Sequence, residues 1–320
     1  MSDSSKTWAG VVCGIAAGAL WGLVFLAPEL VRDFTPLQIA SARYLAYGAI
    51  SAALVAPRWR ALTESLGGPH WRGLFRLSFL GNVLYYVLLA NAVQLGGMAM
   101  ASLVVGMLPV TVTLIGSRDP GAAPLRRLAP SLLLGAAGVA CIAGQSLGGD
   151  DTGTQSTRLV GLLCAVGALV AWTAYAVENA RWLARLDHVS AYDWNLLAGL
   201  TTGALALLLV VPAWTLGGRS HAPAAWLRFM GVASGLAIFA SIVGNALWNR
   251  MSRLLPLTMV GQMILFETLF ALVYAFLWEW RLPTAAEGLA MILVTASVLS
   301  CVSAHHSPDV EKAEAASAHF

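Results

Sequence analysis

The sequence predicts an all-α polytopic membrane protein of ten transmembrane helices, built as two inverted five-helix repeats. Three observations lead there. The 320 residues are 58% hydrophobic and only 11% charged, against about 25% charged in a soluble domain, and the mean hydropathy is +0.72. The chain divides into ten apolar runs, each near the ~20 residues that a helix needs to cross ~30 Å of hydrocarbon. Basic residues fall on alternate connections between those runs.

The spans are expected at 8–31, 36–56, 72–95, 98–117, 128–147, 159–181, 191–214, 226–249, 257–278 and 284–304. The first begins at Trp8, after Lys6, and is too long for a signal h-region of about 7–15 residues. Thr35-Pro36 opens the second, and Pro57-Arg58 ends it. The third starts at Arg72, after Gly67-Gly68-Pro69, and Gly96-Gly97 separates it from the fourth. Arg126 and Arg127 precede the fifth. Gly, Pro, Asp and Arg punctuate the later connections as well. The longest candidate linker, GGDDTGTQSTR at 148–158, is polar and falls midway. It divides a first repeat at 8–147 from a second at 159–304. The polar, Ala-rich stretch 305–320 is expected to be a disordered cytoplasmic tail.

Orientation follows from the basic residues. One side receives Lys6, Arg58, Arg60, Arg72, Arg76, Arg118, Arg126, Arg127, Arg181, Arg185, Arg250, Arg253 and Lys312. The other receives Arg32, Arg158, Arg219, Arg228 and Arg281. Both termini are therefore expected in the cytoplasm, with the chain in the inner (plasma) membrane. The repeats carry opposite orientation signals. Leu88–Pro109 reads LLANAVQLGGMAMASLVVGMLP and Ala246–Glu267 reads ALWNRMSRLLPLTMVGQMILFE. At an offset of 158, Asn91 falls on Asn249 and Pro109 on Glu267, yet only the second segment carries arginines in its connection. Five spans per half is an odd number, so the second half enters from the opposite side.

Several segments are similar to the ten-helix branch of the EamA-type drug/metabolite transporters. They are GALWGLVF at Gly18–Phe25, TPLQIASAR at Thr35–Arg43, GALVAWTAY at Gly167–Tyr175 and FETLFALVYAFLWEWRLPTAAEG at Phe266–Gly288. Where the family has a Glu-Pro pair in span 9, this chain has Glu267-Thr268, so no proline kink is expected there. The resemblance implies a central cavity between helices 1–4 and 6–9, braced by helices 5 and 10. It also implies export of small metabolites such as amino acids or drug-like amphiphiles.

Glu267 is the sharpest candidate. It lies about ten residues into span 9, roughly 15 Å deep at ~1.5 Å per residue, where a charge costs about 2.5–3.5 kcal/mol on the insertion scale. Such a group can bind a substrate amine or exchange a proton, so protons are one option for coupling; a structural, hydrogen-bonded glutamate is the alternative. Its helical face continues through Met263, Phe270 and Tyr274. Trp21 and Trp172 sit about 13 residues into the first helix of each half, deeper than the tryptophans at span ends, Trp194 among them, which are expected in the interfacial belt. The deep pair is expected either to stack on cargo or to pack on neighbours. Polar stripes add Asn82, Tyr85 and Tyr86 in span 3, Tyr175 in span 6, and Asn245 with the adjacent Trp248 in span 8. Arg43, in span 2, is expected to form a gating or structural ion pair with Glu29. Glu178 and Arg181 are spaced for a local pair. Gly10, Gly14, Gly18 and Gly22, and likewise Gly231 and Gly235, read as helix-packing surfaces.

The expected partners are a small-molecule substrate and the lipid bilayer, with a homodimer as an open arrangement. The net charge of +3 is too weak and scattered for nucleic acid. No cofactor and no metal are expected. The four cysteines lie in apolar runs without ligand spacing, and all six histidines lie outside the spans. There is no GxxxxGK[ST], HExxH or GxSxG, so neither ATP hydrolysis nor an enzyme site is expected. The function predicted is secondary transport by alternating access around a mid-membrane cavity. The alternatives are a membrane-embedded enzyme and a structural or sensory membrane protein.

Overall fold

The structure is a computed structural model and describes residues 3–64, 66–96, 101, 104–119, 122–146, 155–186, 189–216 and 221–305. Ten helices carry the described chain across the fold. α1 is Asp3–Leu30 and α2 is Pro36–Val55. α3 joins Gly68–Ser78, a π-helical stretch Phe79–Leu84, and Tyr85–Gly96. α4 is described over Leu108–Gly116 and α5 over Leu125–Ser146. α6 is Gln155–Arg185 and α7 is Ala191–Leu216. α8 joins Pro223–Leu236, a second π-helical stretch Ala237–Gly244, and Asn245–Leu254. α9 joins Leu257–Met263 and Leu265–Glu279, and α10 is Ala285–His305. All except α4 and α5 are long and apolar enough to cross a membrane. The expected linker 148–158 lies outside the described residues up to 154; its last four residues already belong to α6. The expected tail lies outside them beyond His305.

Local chemistry sets the helix starts. Thr35 Oγ1 accepts from the Gln38 N–H at 3.3 Å while Gln38 Oε1 accepts from the Thr35 N–H at 2.8 Å, with a proline in the first turn of α2. Ser190 supplies the forward half of this device for α7, its Oγ accepting from the Asp193 N–H at 2.9 Å.

Small residues set the packing. α2 crosses α7 with glycine against glycine: a Cβ added at Gly48 would stand 2.6 Å from Gly203 Cα, and one added at Gly203 would stand 2.6 Å from Gly48 Cα. The α1 glycines behave as expected. Gly18 meets Phe266 and the Glu267 backbone, and Gly22 meets Phe270 and Ala271, so α1 lies directly on α9. Gly231 and Gly235 do not: a Cβ on either would meet nothing within 4 Å, because that face of α8 points away from the bundle. α5 packs on α10, and α4 on α9.

The two π-helical stretches begin 158 residues apart, at Phe79 and Ala237. A wide turn loosens backbone carbonyls, and side chains take them up in α8. Trp21 Nε1 donates to Ala240 O at 3.1 Å, and Asn195 Nδ2 donates to Ser241 O at 3.2 Å and Ile242 O at 2.9 Å. α9 is interrupted at Ile264 even without a proline there, and α4 turns at Gly106–Met107, again 158 residues earlier.

Packing is uneven along the bundle. In α9 every residue of 257–265 is buried, whereas every residue of 266–275 is partly accessible. In α3 the partly accessible run is 84–90. One end, carrying the α8–α9 connection, is a solid core of Met251, Met259, Val260 and Met263. The other half leaves space beside α3 and α9.

Side-chain ties concentrate at the solid end, on the last turns of α6. Arg76 of α3 holds Glu178 at 2.8 Å, and Arg181 holds Asp119, after α4, at 2.9 Å. The local Glu178–Arg181 pair expected from spacing is therefore replaced by two pairs to other elements. Asn179 Nδ2 donates to Asn249 Oδ1 at 2.9 Å, and Trp194 Nε1 donates to Asn179 Oδ1 at 3.0 Å. Trp194 is thus a buried connector rather than an interfacial residue, because its face of α7 turns toward α6.

Candidate functional site

Glu267 stands at the boundary between the solid and open halves, in the first turn of the second α9 segment. Its backbone N–H bonds back to Ile264 O at 3.0 Å, a tight turn that follows the interruption. The side chain is partly accessible although the residue lies deep in the bundle, so it faces the interior space. Among the described residues its carboxylate accepts no hydrogen bond. It lies within electrostatic reach of Arg43 from α2 and Tyr85 from α3. An acid and a base from different helices therefore share one interior region.

Arg43 is not held where the spacing suggested. Its Nε donates to Ser241 Oγ at 3.0 Å, in the π-helical stretch of α8, and its guanidinium lies over the Tyr44 ring at 5.3 Å. The side chain of Glu29, its expected partner, lies outside the described residues. Ser241 is itself positioned from α7. Tyr47 donates to Asn195 Oδ1 at 2.6 Å, and Asn195 donates to the Ser241 and Ile242 carbonyls. Asn195 carried no signal in the sequence beyond being an amide inside a span.

Beside Glu267 the tryptophans form one unit. Trp21 lies 4.9 Å from Trp248 and 6.3 Å from Trp172 by ring centroids, and Trp172 lies 5.7 Å from Trp248. Trp21 Nε1 also donates to Asn245 Oδ1 at 3.0 Å. Tyr175 and Tyr85 extend the cluster from Trp172, at 5.8 Å and 6.5 Å. Trp248 is 1% exposed, against 8% for Trp21 and 7% for Trp172. Trp248 is therefore the innermost member of the cluster, and the other two keep slight exposure. Edge-to-face pairs of this kind hold one arrangement.

The remaining candidates spread along the walls. Asn82 Nδ2 donates to Thr202 Oγ1 of α7 at 3.1 Å, which ties α3 to α7. Tyr86 is partly accessible and packs beside Val83 and Tyr44. Tyr274 is farther toward the open end; its hydroxyl donates to Ala19 O at 2.9 Å and its ring lies 6.1 Å from Phe270. The structure thus brings Glu267, Arg43, Tyr85, Trp21, Trp172, Tyr175 and Asn245 together. It sets Asn82, Tyr86 and Tyr274 on the walls. The described residues contain no cluster of three or more metal-ligating side chains.

Relatives agree with this architecture. The inner membrane protein YtfF of Escherichia coli (strain K12) is 30% identical over 301 residues, spanning 89% of this chain and 92% of its own. A solved crystal structure with 21% identity superposes with a TM-score of 0.71 over 91% of this chain and 95% of its own, a likeness of fold. Residues 8–143 match the EamA-like transporter family. With ten helices around an interior that holds an acid and a base from different helices, this chain is a multi-pass membrane protein that belongs to the EamA-like transporter family.

Proposed function

We propose that the chain is a secondary transporter that exports small metabolites, amino acids or drug-like amphiphiles among them, by alternating access around the space at Glu267. The observation that carries this reading is Glu267 and Arg43 facing one interior region beside the tryptophan cluster, with one end of the bundle packed shut. A site with one acid, one base and aromatic edges suits a small zwitterion or an organic cation better than a large polyanion. Asn245 and Tyr85 would then orient polar groups of the cargo, and Glu267 would carry a proton or the substrate amine.

The proposed mechanism rests on two inverted five-helix repeats, 8–147 and 159–304, rocking against each other. Its support is the reciprocal approach of Gly48 and Gly203, together with π-helical stretches and helix interruptions that recur at one offset. In this reading both termini are cytoplasmic, the inner membrane is the location, and the packed end faces the cytoplasm. The space then opens outward. One charge moved through 100 mV is worth about 2.3 kcal/mol, enough for roughly a 50-fold gradient.

A metabolite comparison tests the proposal. Cells overproducing the chain should show a defined small molecule shifted from cell to medium, and cells producing Glu267→Gln should lose that shift. Identical metabolite profiles in the two strains would remove Glu267-dependent export.

A further inference from the structure

Between α2 and α3 the chain runs across the packed end of the bundle as a single turn, Ala56–Arg58, and a short helix, Trp59–Thr63. Residues 56–61 are all exposed. Leu62 turns inward onto the cluster of Tyr47, Val55 and Leu196, and Leu66 turns onto that of Leu74 and Trp194. An amphipathic segment joining two transmembrane helices, with arginine and tryptophan outward, lies at headgroup level.

Three features of this surface fit one ligand. Arg60 and Arg72 are exposed, and neither has an ion-pair partner among the described residues, Glu64 of the same connection included. Arg58, beside them, spends one nitrogen on Asp193 at 3.0 Å yet stays 47% exposed. The rings of Trp59 and Trp71 lie 5.9 Å apart, tilted by 36°, and form an aromatic shelf. From Trp71 an apolar strip follows at i+4 and i+8. Phe75 and Phe79 are each 44% exposed, and they lead from the arginines toward hydrocarbon depth. A free phosphate would use only the guanidinium groups. A molecule with an anionic head and acyl chains uses all three features.

We propose that the α2–α3 connection is a binding site for an anionic phospholipid. Its headgroup phosphate sits between Arg60 and Arg72, its glycerol region rests on Trp59 and Trp71, and one acyl chain runs along Phe75 and Phe79. Paired guanidinium groups suit phosphate oxygens. Arg76 lies on the same face but is held by Glu178 and stays outside the site.

The full chain, purified in nonionic detergent and stripped of lipid, is titrated with phosphatidylglycerol, phosphatidylcholine and inorganic phosphate, with bound lipid counted by native mass spectrometry. Phosphatidylglycerol should bind in preference to phosphatidylcholine. Arg60→Gln with Arg72→Gln should weaken it roughly 30-fold, at about one kcal/mol per basic residue near the surface. Phe75→Ala with Phe79→Ala should weaken it as well. Arg118→Gln with Arg126→Gln, exposed arginines at the same end of the bundle, should leave it unchanged; all variants keep the parent elution profile. Equal loss in both arginine pairs, or none in the first, overturns the site. Displacement of the lipid by millimolar inorganic phosphate, or equal binding of phosphatidylcholine, overturns the lipid assignment.

Discussion

The indole N–H of Trp21 in α1 reaches the Ala240 carbonyl oxygen of α8 at 3.1 Å, inside a π-helical turn. The same N–H is shared with Asn245 Oδ1 at 3.0 Å. One side chain thus ties α1 to α8 and takes up a carbonyl that the wide turn loosens. Trp21→Phe keeps an aromatic ring there and removes the donor. Leaving a buried acceptor unpaired costs about 1–3 kcal/mol, so the variant should melt at lower temperature in detergent than the parent. An unchanged melting temperature would mean that water or the regular helical bond replaces the indole.

Glu267 has no hydrogen-bond donor among the described residues, and Arg43 and Tyr85 lie within its field. A structural glutamate would be tied down, whereas a working one is left open. Glu267→Gln keeps the shape and removes the charge. It should abolish gradient-driven flux in proteoliposomes while the protein still elutes as a single folded species. Flux equal to that of the parent at every pH would take Glu267 out of the mechanism.

Arg43 tests the other half of the site. Its Nε bond to Ser241 Oγ at 3.0 Å fixes a planar fork, which a lysine ammonium cannot reproduce. Arg43→Lys keeps the charge and should lower substrate affinity about tenfold or more, the loss of one charge-assisted bond of about 1.5–3 kcal/mol. Ser241→Ala should lower it less. A substrate affinity unmoved by Arg43→Lys would make Arg43 a structural cation.

The spans were legible because a helix in hydrocarbon must be about 20 apolar residues long whatever it packs against. Glu267 was legible for a related reason: a charge in such a run is costly and stands out. Partners were not legible, because they depend on which helix faces which. Arg43 bonds to Ser241, 198 positions away, while its neighbour by span order was Glu29. Trp194 sits at the start of a span, as interfacial tryptophans do, yet its face turns inward. Gly231 and Gly235 share the spacing of the α1 glycines and pack on nothing, since spacing reports a stripe and not what covers it. The π-helical stretches have no signature in composition at all.

Gly48 and Gly203 put backbone against backbone where α2 crosses α7. Gly48→Ala would bring its Cβ to 2.6 Å from Gly203 Cα, and backbone cannot swing aside as a flexible side chain can. The helices must separate, at a cost of about 1–3 kcal/mol. Gly231→Ala meets nothing within 4 Å and should be neutral. Thermal unfolding in detergent compares the two; equal melting temperatures would mean that the crossing has slack.

At the packed end, α6 is fastened to α3 by Arg76–Glu178 at 2.8 Å and to the segment after α4 by Arg181–Asp119 at 2.9 Å. In the proposed alternating access this end opens, so both pairs would break once per cycle. Arg76 is 67% exposed and Arg181 48%, which limits each pair to about 0–1 kcal/mol. Strong enough to bias two states, they are too weak to lock one. Arg76→Gln with Arg181→Gln should therefore shift the population toward the form open at this end by up to roughly thirty-fold, read as faster thiol labelling of a cysteine placed at Met263, a buried position of α9. The exchange Arg76→Glu with Glu178→Arg restores one pair and should slow labelling back toward the parent rate. Labelling that ignores both variants would show that the apolar core at Met251 and Met263, and not the ion pairs, keeps this end shut.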